Sequence, residues 1–415
     1  MTPAPDPHEL PGFWPSDAYD RSSSDWEANQ RARTLELFKA HVYGRTPPGG
    51  ELAQVDLRSR REGALGGSAT RTESLLTFAG PRGSIAVALL VYVPVEADSR
   101  RPVPAFLGLN FQGNHATSTE GDLDVLTPGV GMNSEGWPVG RGAEARRWPF
   151  STIVQRGYAV ATLHYEQLEV DSPGMPTHGV RGLFDDDDAF SGVRGVRNPQ
   201  AWGSIGAWAW GLSRALDALN TFEEIDGENV FAVGHSRLGK TALWASAQDQ
   251  RFRGVISNES GCGGASLFRH RGPEDIRVLT SARPQWFAPA FSGYQDADDE
   301  LPVDQHQLLA LQAPRPTHVA SATVDPGADP HGEYLSTLHA SPMFQLYGLQ
   351  GTLPAGVTAP GDDLPVTDAL DLPLPPVGVR IGGELSYHLR DGEHDMLAED
   401  WDHFLDFADD AIRAE

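Results

Sequence analysis

Residues 228–241 read Glu-Asn-Val-Phe-Ala-Val-Gly-His-Ser-Arg-Leu-Gly-Lys-Thr. A single hydroxyl with chemical promise, Ser236, follows an apolar run and a glycine and precedes a helix-like segment. Strand, tight turn and helix in that order lift a serine clear of the backbone, so that its Oγ can attack a carbonyl. The same letters spell Gly234-x-x-x-x-Gly239-Lys240-Thr241, in which backbone amides would cradle phosphates and the lysine would reach the terminal one. A third reading makes Ser236 a plain helix N-cap, because a serine hydroxyl accepts well from first-turn amides.

The partners separate these chemistries. A serine nucleophile on such a turn needs an acid and then a histidine further along the chain. His394 lies in Asp391-Gly-Glu-His-Asp395, a polar loop between a predicted strand and the last predicted helix. Two acids precede it. Glu259 follows a strand ending at Ser257, and Asp325 follows one ending at Thr323, although Asp325-Pro-Gly is also a turn starter. A nucleotide enzyme needs instead an apolar strand ending in Asp to hold magnesium, and residues 319–325 fit that poorly. The turn departs from G-x-S-x-G by carrying Leu238 where the second glycine usually stands. Hydrolase is the favoured reading, with a nucleotide-binding phosphotransferase or ATPase as the alternative.

The elements around the turn alternate. Ser24 and Asp25 are candidate caps for a helix to Val42, with Leu35, Leu37, Phe38 and Val42 as its apolar stripe. Residues 53–95 read as strand, then Val103–Leu109 and a strand within 153–164. A helix is predicted over Trp202–Leu219, where Ile205, Trp208, Ala209, Leu212, Leu216 and Leu219 recur at helical spacing and the tryptophans read as core. Phe252–Ser257, His318–Thr323, Val377–Ile381 and Leu385–Leu389 complete the strands, and a helix closes the chain over 397–414. Strands alternating with helices imply an α/β fold with a mostly parallel central sheet sandwiched by helices. Two polar inserts, 116–147 and 166–198, follow strands and are placed to wall a cleft beyond the strand ends. The run Asp185–Asp188 in the second reads as a solvated loop. The expected organisation is an irregular segment over 1–22 and a single catalytic domain over 23–415.

Bulk composition excludes several classes. Lys and Arg total 32 against 57 Asp and Glu, a net charge of −25, which repels phosphate backbones and argues against nucleic acid as partner. One cysteine, Cys262, allows neither an intrachain disulfide nor a cysteine-rich metal site. The longest apolar run, Ile85–Val95, has 11 residues where a membrane span takes roughly 20, so it reads as a buried strand. The start, Met1-Thr-Pro-Ala-Pro-Asp-Pro, lacks a basic and then apolar leader. A cytoplasmic protein, or a trimmed secreted or periplasmic one, is expected.

Taken together, several blocks are more selective than the turn alone. Gly234–Ala245, Ser257-Asn-Glu-Ser-Gly-Cys-Gly-Gly264, Gly108–His115, Trp202–Arg214, Asp329-Pro-His-Gly-Glu333 and Ser386-Tyr-His-Leu-Arg390 resemble the bacterial branch of the glucuronoyl esterases, carbohydrate esterase family 15. The resemblance runs from about residue 25 to 405 and implies an α/β-hydrolase fold. The implied activity is cleavage of esters between 4-O-methyl-glucuronate on xylan and lignin alcohols, with no metal or organic cofactor and a monomer as the expected state. It makes Ser236 the nucleophile, His394 the base, Glu259 the usual acid and Asp325 a second acid position. Arg237 matches the oxyanion-stabilising arginine, and Lys240 and Glu274 match sugar-contacting positions. One departure stands out: Gly327 occupies a place where many members have a tryptophan that packs on the uronate.

Overall fold

In chain order the strands are β1 (Glu51–Gly63), β2 (Ala69–Gly80), β3 (Gly83–Pro94), β4 (Val103–Asn110), β5 (Ala159–His164), β6 (Ile225–His235), β7 (Gly254–Asn258), β8 (Thr317–Val324), β9 (Ile381–Gly382) and β10 (Leu385–Glu393). They form one sheet in the order β1-β2-β3-β5-β4-β6-β7-β8-β10-β9. This architecture comes from a computed structural model that describes residues 10–123, 139–173, 179–184, 197–353 and 373–413. The acidic run Asp185–Asp188 lies outside the described residues.

From β5 to β10 every neighbouring pair is parallel. An antiparallel meander of β1, β2 and β3 joins through β5, and β9 pairs antiparallel at the far edge. The expected α/β sheet is therefore present, with an antiparallel wing. Successive residues of a strand face opposite sides, and β6 shows this directly. Val230 and Ala232 join one hydrophobic layer, and Phe231 and Val233 join the other. The first layer is roofed by helical residues 23–43 and the helices Ser204–Leu219, Arg237–Gln248 and Pro330–Gln345. The second is roofed by Phe150–Gln155 and Ala398–Arg413. Trp202, Trp208 and Trp210 are buried, as the helical spacing predicts. Full burial of a large apolar side chain stabilises by roughly 1.5–3 kcal/mol, which is what docks these helices on the sheet.

Two local expectations need correction. The first helix is capped by Ser22, whose Oγ accepts from the Asp25 amide, two residues before the predicted Ser24 and three before Asp25. The predicted strand Val377–Ile381 shrinks to Ile381–Gly382, and Val377 and Val379 are exposed. Pro375 and Pro376 precede it, and Gly378 turns through φ 72°, so β-branched composition there does not make a ladder.

The parallel strands deliver chemistry to one edge. Ser236 is the residue immediately after β6, Glu259 after β7, Asp325 after β8 and His394 after β10. Those four strands are consecutive in the sheet. Neighbours lie about 4.8 Å apart, so side chains at four adjacent carboxyl ends meet where α/β sheets bind ligands.

Candidate active site

Ser236 has φ 57° and ψ −131°, between β6 and the helix Arg237–Gln248. A non-glycine residue held there stores about 1–3 kcal/mol of strain, which the surrounding packing must over-determine. The turn closes tightly: a Cβ at Gly234 would fall 2.0 Å from the Leu238 carbonyl oxygen. At Gly239 it would lie 3.0 Å from the Gly234 carbonyl oxygen and from the Ser260 Cβ. The second close approach thus falls on Gly239, which accounts for Leu238 in the usual glycine place. Gly234→Ala is expected to destabilise by about 3 kcal/mol, the upper range for overpacking, in chemical denaturation. Gly327→Ala is the matched control, because a Cβ there meets only Asp325 Oδ1, at 3.7 Å.

The turn is not a phosphate cradle. The Gly239 and Lys240 amides donate to the Ser236 carbonyl at 2.8 and 3.2 Å, so they are committed to the helix. Lys240 is buried, and its Nζ donates to the carbonyls of Ser260 at 2.5 Å and Cys262 at 2.7 Å. The nucleotide-binding alternative fails on both counts.

Ser236 and His394 line one cavity of ≈ 280 Å³ with Phe111, Gln112, Arg147, Tyr165, His235 and Arg237. His394 Nδ1 lies 2.5 Å from Asp325 Oδ2 and 3.1 Å from Glu259 Oε2, so one nitrogen faces both candidate acids. Burial pulls the imidazole down, but the bonds and charges of Asp325 and Glu259 outweigh it and push its pKa up to about 9. Glu259 is buried, which raises its carboxyl to about 7 despite His394 and Arg390. Burial also acts to raise Asp325, yet its bond to His394 prevails and holds it below the usual carboxylate range. The acid in the expected primary position is thus the more distant and more readily protonated of the two.

Arg237 shares the cavity wall with Ser236. Its guanidinium sits over the Trp286 ring at 4.9 Å and pairs with Asp171. Asp171 in turn accepts from Gln285 Nε2 and Trp286 Nε1, both at 2.7 Å. This brace joins the polar insert after β5 to the turn, and only the folded chain shows it. Lys240 and Glu274 come together, with 3.7 Å between Nζ and Oε2, but neither is among the residues lining the cavity. Lys240 instead ties down the loop over 260–262. His235, Glu259 and His394 each offer a ligand atom within 4.8 Å of the others, a geometry that could hold a metal ion. Several of these groups already have partners: His235 Nδ1 bonds Asn258 Oδ1 at 3.0 Å, and Glu259 takes the Asp395 amide at 2.9 Å and Arg390 at 2.7 Å.

A parallel-centred sheet, a strained serine at a strand end, and a histidine with buried acids at neighbouring strand ends define a serine hydrolase of the α/β-hydrolase type. Comparison with known proteins narrows the class. Residues 185–348 match the family model described as "Glucuronyl esterase, fungi". The chain is 38% identical over 396 residues to the carbohydrate esterase MZ0003 of an unknown prokaryotic organism, covering 94% of this chain and 85% of that one. Among solved structures, the glucuronoyl esterase from Solibacter usitatus superposes with a TM-score of 0.84 at 34% identity, covering 99% of both chains. A promiscuous CE15 esterase from a marine bacterial metagenome gives a TM-score of 0.79 at 35% identity, covering 98% of this chain and 96% of that one. The chain belongs to the glucuronoyl esterases, carbohydrate esterase family 15.

Proposed function

We propose that this protein hydrolyses esters of glucuronate or 4-O-methyl-glucuronate, carried on a xylan-type polysaccharide, through an acyl-enzyme on Ser236. The observation that carries this reading is the convergence of Ser236, Glu259, Asp325 and His394 at the carboxyl ends of four consecutive parallel strands. His394 takes the Ser236 proton as Oγ attacks the ester carbonyl. Asp325 and Glu259 hold the imidazole with its Nδ1–H fixed and stabilise the imidazolium. The Arg237 amide, at the first helical position, and its guanidinium face the developing oxyanion; such donors contribute about 3 kcal/mol each. His394 then protonates the leaving alcohol, and water repeats the attack on the acyl-enzyme. Lys240 supports this site from beneath by holding the loop that follows Glu259. At Gly327 a Cβ would meet only Asp325 Oδ1, at 3.7 Å, and this position itself offers a sugar no indole.

The test is covalent trapping. Benzyl glucuronate mixed with the enzyme in chelator-containing buffer is expected to release benzyl alcohol. An acid quench during turnover is expected to leave a glucuronoyl adduct on the peptide bearing Ser236, seen by mass spectrometry. Turnover with the adduct on another residue, or magnesium-dependent ATP hydrolysis in place of ester cleavage, overturns the reading.

A further inference from the structure

We infer that Arg390 is a positioning residue for this reaction, bracing the Glu259 carboxylate and the loop that carries His394 with one guanidinium. The inference rests on the esterase reading of the site. Arg390 is buried and does not line the cavity, so it acts only through its neighbours. Every nitrogen is used. Nη2 lies 2.7 Å from Glu259 Oε1, 2.7 Å from the Glu393 carbonyl and 3.1 Å from the Asp395 carbonyl. Nη1 donates to the Asp391 carbonyl at 2.9 Å, and Nε donates to Asp400 Oδ2 at 3.0 Å. The peptide carbonyls on both sides of His394 are therefore fixed to the same planar group as one of its acids. A lysine ammonium, a compact charge without a rigid fork, could not hold this set.

The anchor continues inward. Asp400 is buried; its Oδ2 also accepts from the Leu397 amide at 2.7 Å, and its Oδ1 bonds His388 Nε2 at 3.0 Å. His388 Nδ1 lies 2.8 Å from His318 Nε2, and His318 Nδ1 lies 2.7 Å from Ser386 Oγ. An unbroken run of side-chain hydrogen bonds thus leads from the first halves of β8 and β10 through Asp400 and Arg390 to Glu259 and His394. The other groups facing Glu259 are His394, Asp325, the Asn258 amide nitrogen and the Asp395 amide, with the buried carboxyl of Glu333 behind the loop that follows Glu259. Arg390 is the arginine that they set against this carboxyl, which burial has already raised to about 7. Removing the cation disfavours the carboxylate, so Glu259 ionises at higher pH, and the loop loses its brace in the same step.

The test is a pH–rate profile of Arg390→Met and Arg390→Lys on benzyl glucuronate, with wild type and Ser236→Ala in parallel. Arg390→Met is expected to lose about 100-fold in kcat, the scale of misplacing a reacting group by an ångström. KM should stay within about threefold, since no substrate contact is removed. Its rising limb should move to lower pH, because a Glu259 left protonated no longer holds the imidazolium, and Arg390→Lys should return the limb toward wild type while kcat stays low. In a Glu259→Gln background the same replacement should cost much less. A folded Arg390→Met enzyme with wild-type kcat and pH profile, or losses that simply multiply in the double variant, overturns the inference. Where Arg390→Met does not fold, Asp400→Asn releases the anchor and leaves the guanidinium. A smaller loss in kcat is expected of it, shrinking further in the Glu259→Gln background, and wild-type kcat or an undiminished loss in that background counts against the inference. Failure of the esterase reading is distinct, because it shows as an active Ser236→Ala enzyme.

Discussion

Ser236→Ala is expected to lower kcat for benzyl glucuronate by about 10⁶-fold, the cost of deleting a serine nucleophile from an otherwise intact site. The fold should survive. Alanine keeps the Cβ that already occupies the φ 57° position, and the glycines that permit the turn are untouched. Binding should survive as well, because the Arg237 guanidinium stays braced by Asp171 and Trp286. Calorimetric titration with glucuronate should therefore give the same Kd for variant and wild type, and thermal unfolding the same midpoint within a degree or two. The residual rate belongs to the oxyanion donors and to proximity, which alone leave about 10³–10⁴-fold over water. A variant that retains more than about 1% of wild-type kcat with a wild-type fold cannot be reconciled with an acyl-Ser236 intermediate.

The turn was legible in the sequence because its determinants are local. An apolar strand, a glycine that must pass a backbone carbonyl and a serine before a helix all fall within a few residues. His394 and its two acids were legible for a related reason. The apolar pattern ends strands at Ser257, Thr323 and Leu389, shortly before each of them, and the fold extends those strands so that each is the first residue beyond one. The choice between Glu259 and Asp325 could not be made, since it depends on how β7, β8 and β10 neighbour one another in space. The phosphate-loop pattern around Lys240 misled for the opposite reason. Letters say nothing of direction, and the fold aims the Lys240 ammonium at two carbonyls of the loop after β7. Asp171 and Arg390 were invisible as functional residues. The partners of Asp171, Arg237 and Gln285, lie 66 and 114 residues away in sequence, and Glu259 lies 131 from Arg390. Val377 and Val379 show the limit of propensity, where β-branched residues stand exposed beside a glycine turn at the sheet edge.

Replacing both acids should show that they act as one unit. Asp325 is nearer to His394 Nδ1, at 2.5 Å against 3.1 Å for Glu259, and its carboxyl sits below the usual range while that of Glu259 is raised to about 7. At neutral pH Asp325 is the dependable anion. Asp325→Asn is expected to cost about 100-fold in kcat and Glu259→Gln about tenfold, the general-base range being about 10²–10⁴. Each single variant keeps one carboxylate to fix the tautomer. The double variant should lose about 10⁴-fold, as when a lone triad acid becomes an amide. The pH profile gives a separate sign. His394 is raised to about 9 because two carboxylates favour its charged form over the pull of burial, so the free base appears, and kcat/KM climbs, as pH rises through that value. Removing the Asp325 charge lets the imidazole lose its proton at lower pH, and the ascending limb must move toward neutrality even as the maximum falls. Glu259→Gln should move it the same way by less. A limb that stays put in Asp325→Asn and shifts in Glu259→Gln would give the dominant role to the more distant acid, and the 2.5 Å contact would then be a bond without catalytic consequence.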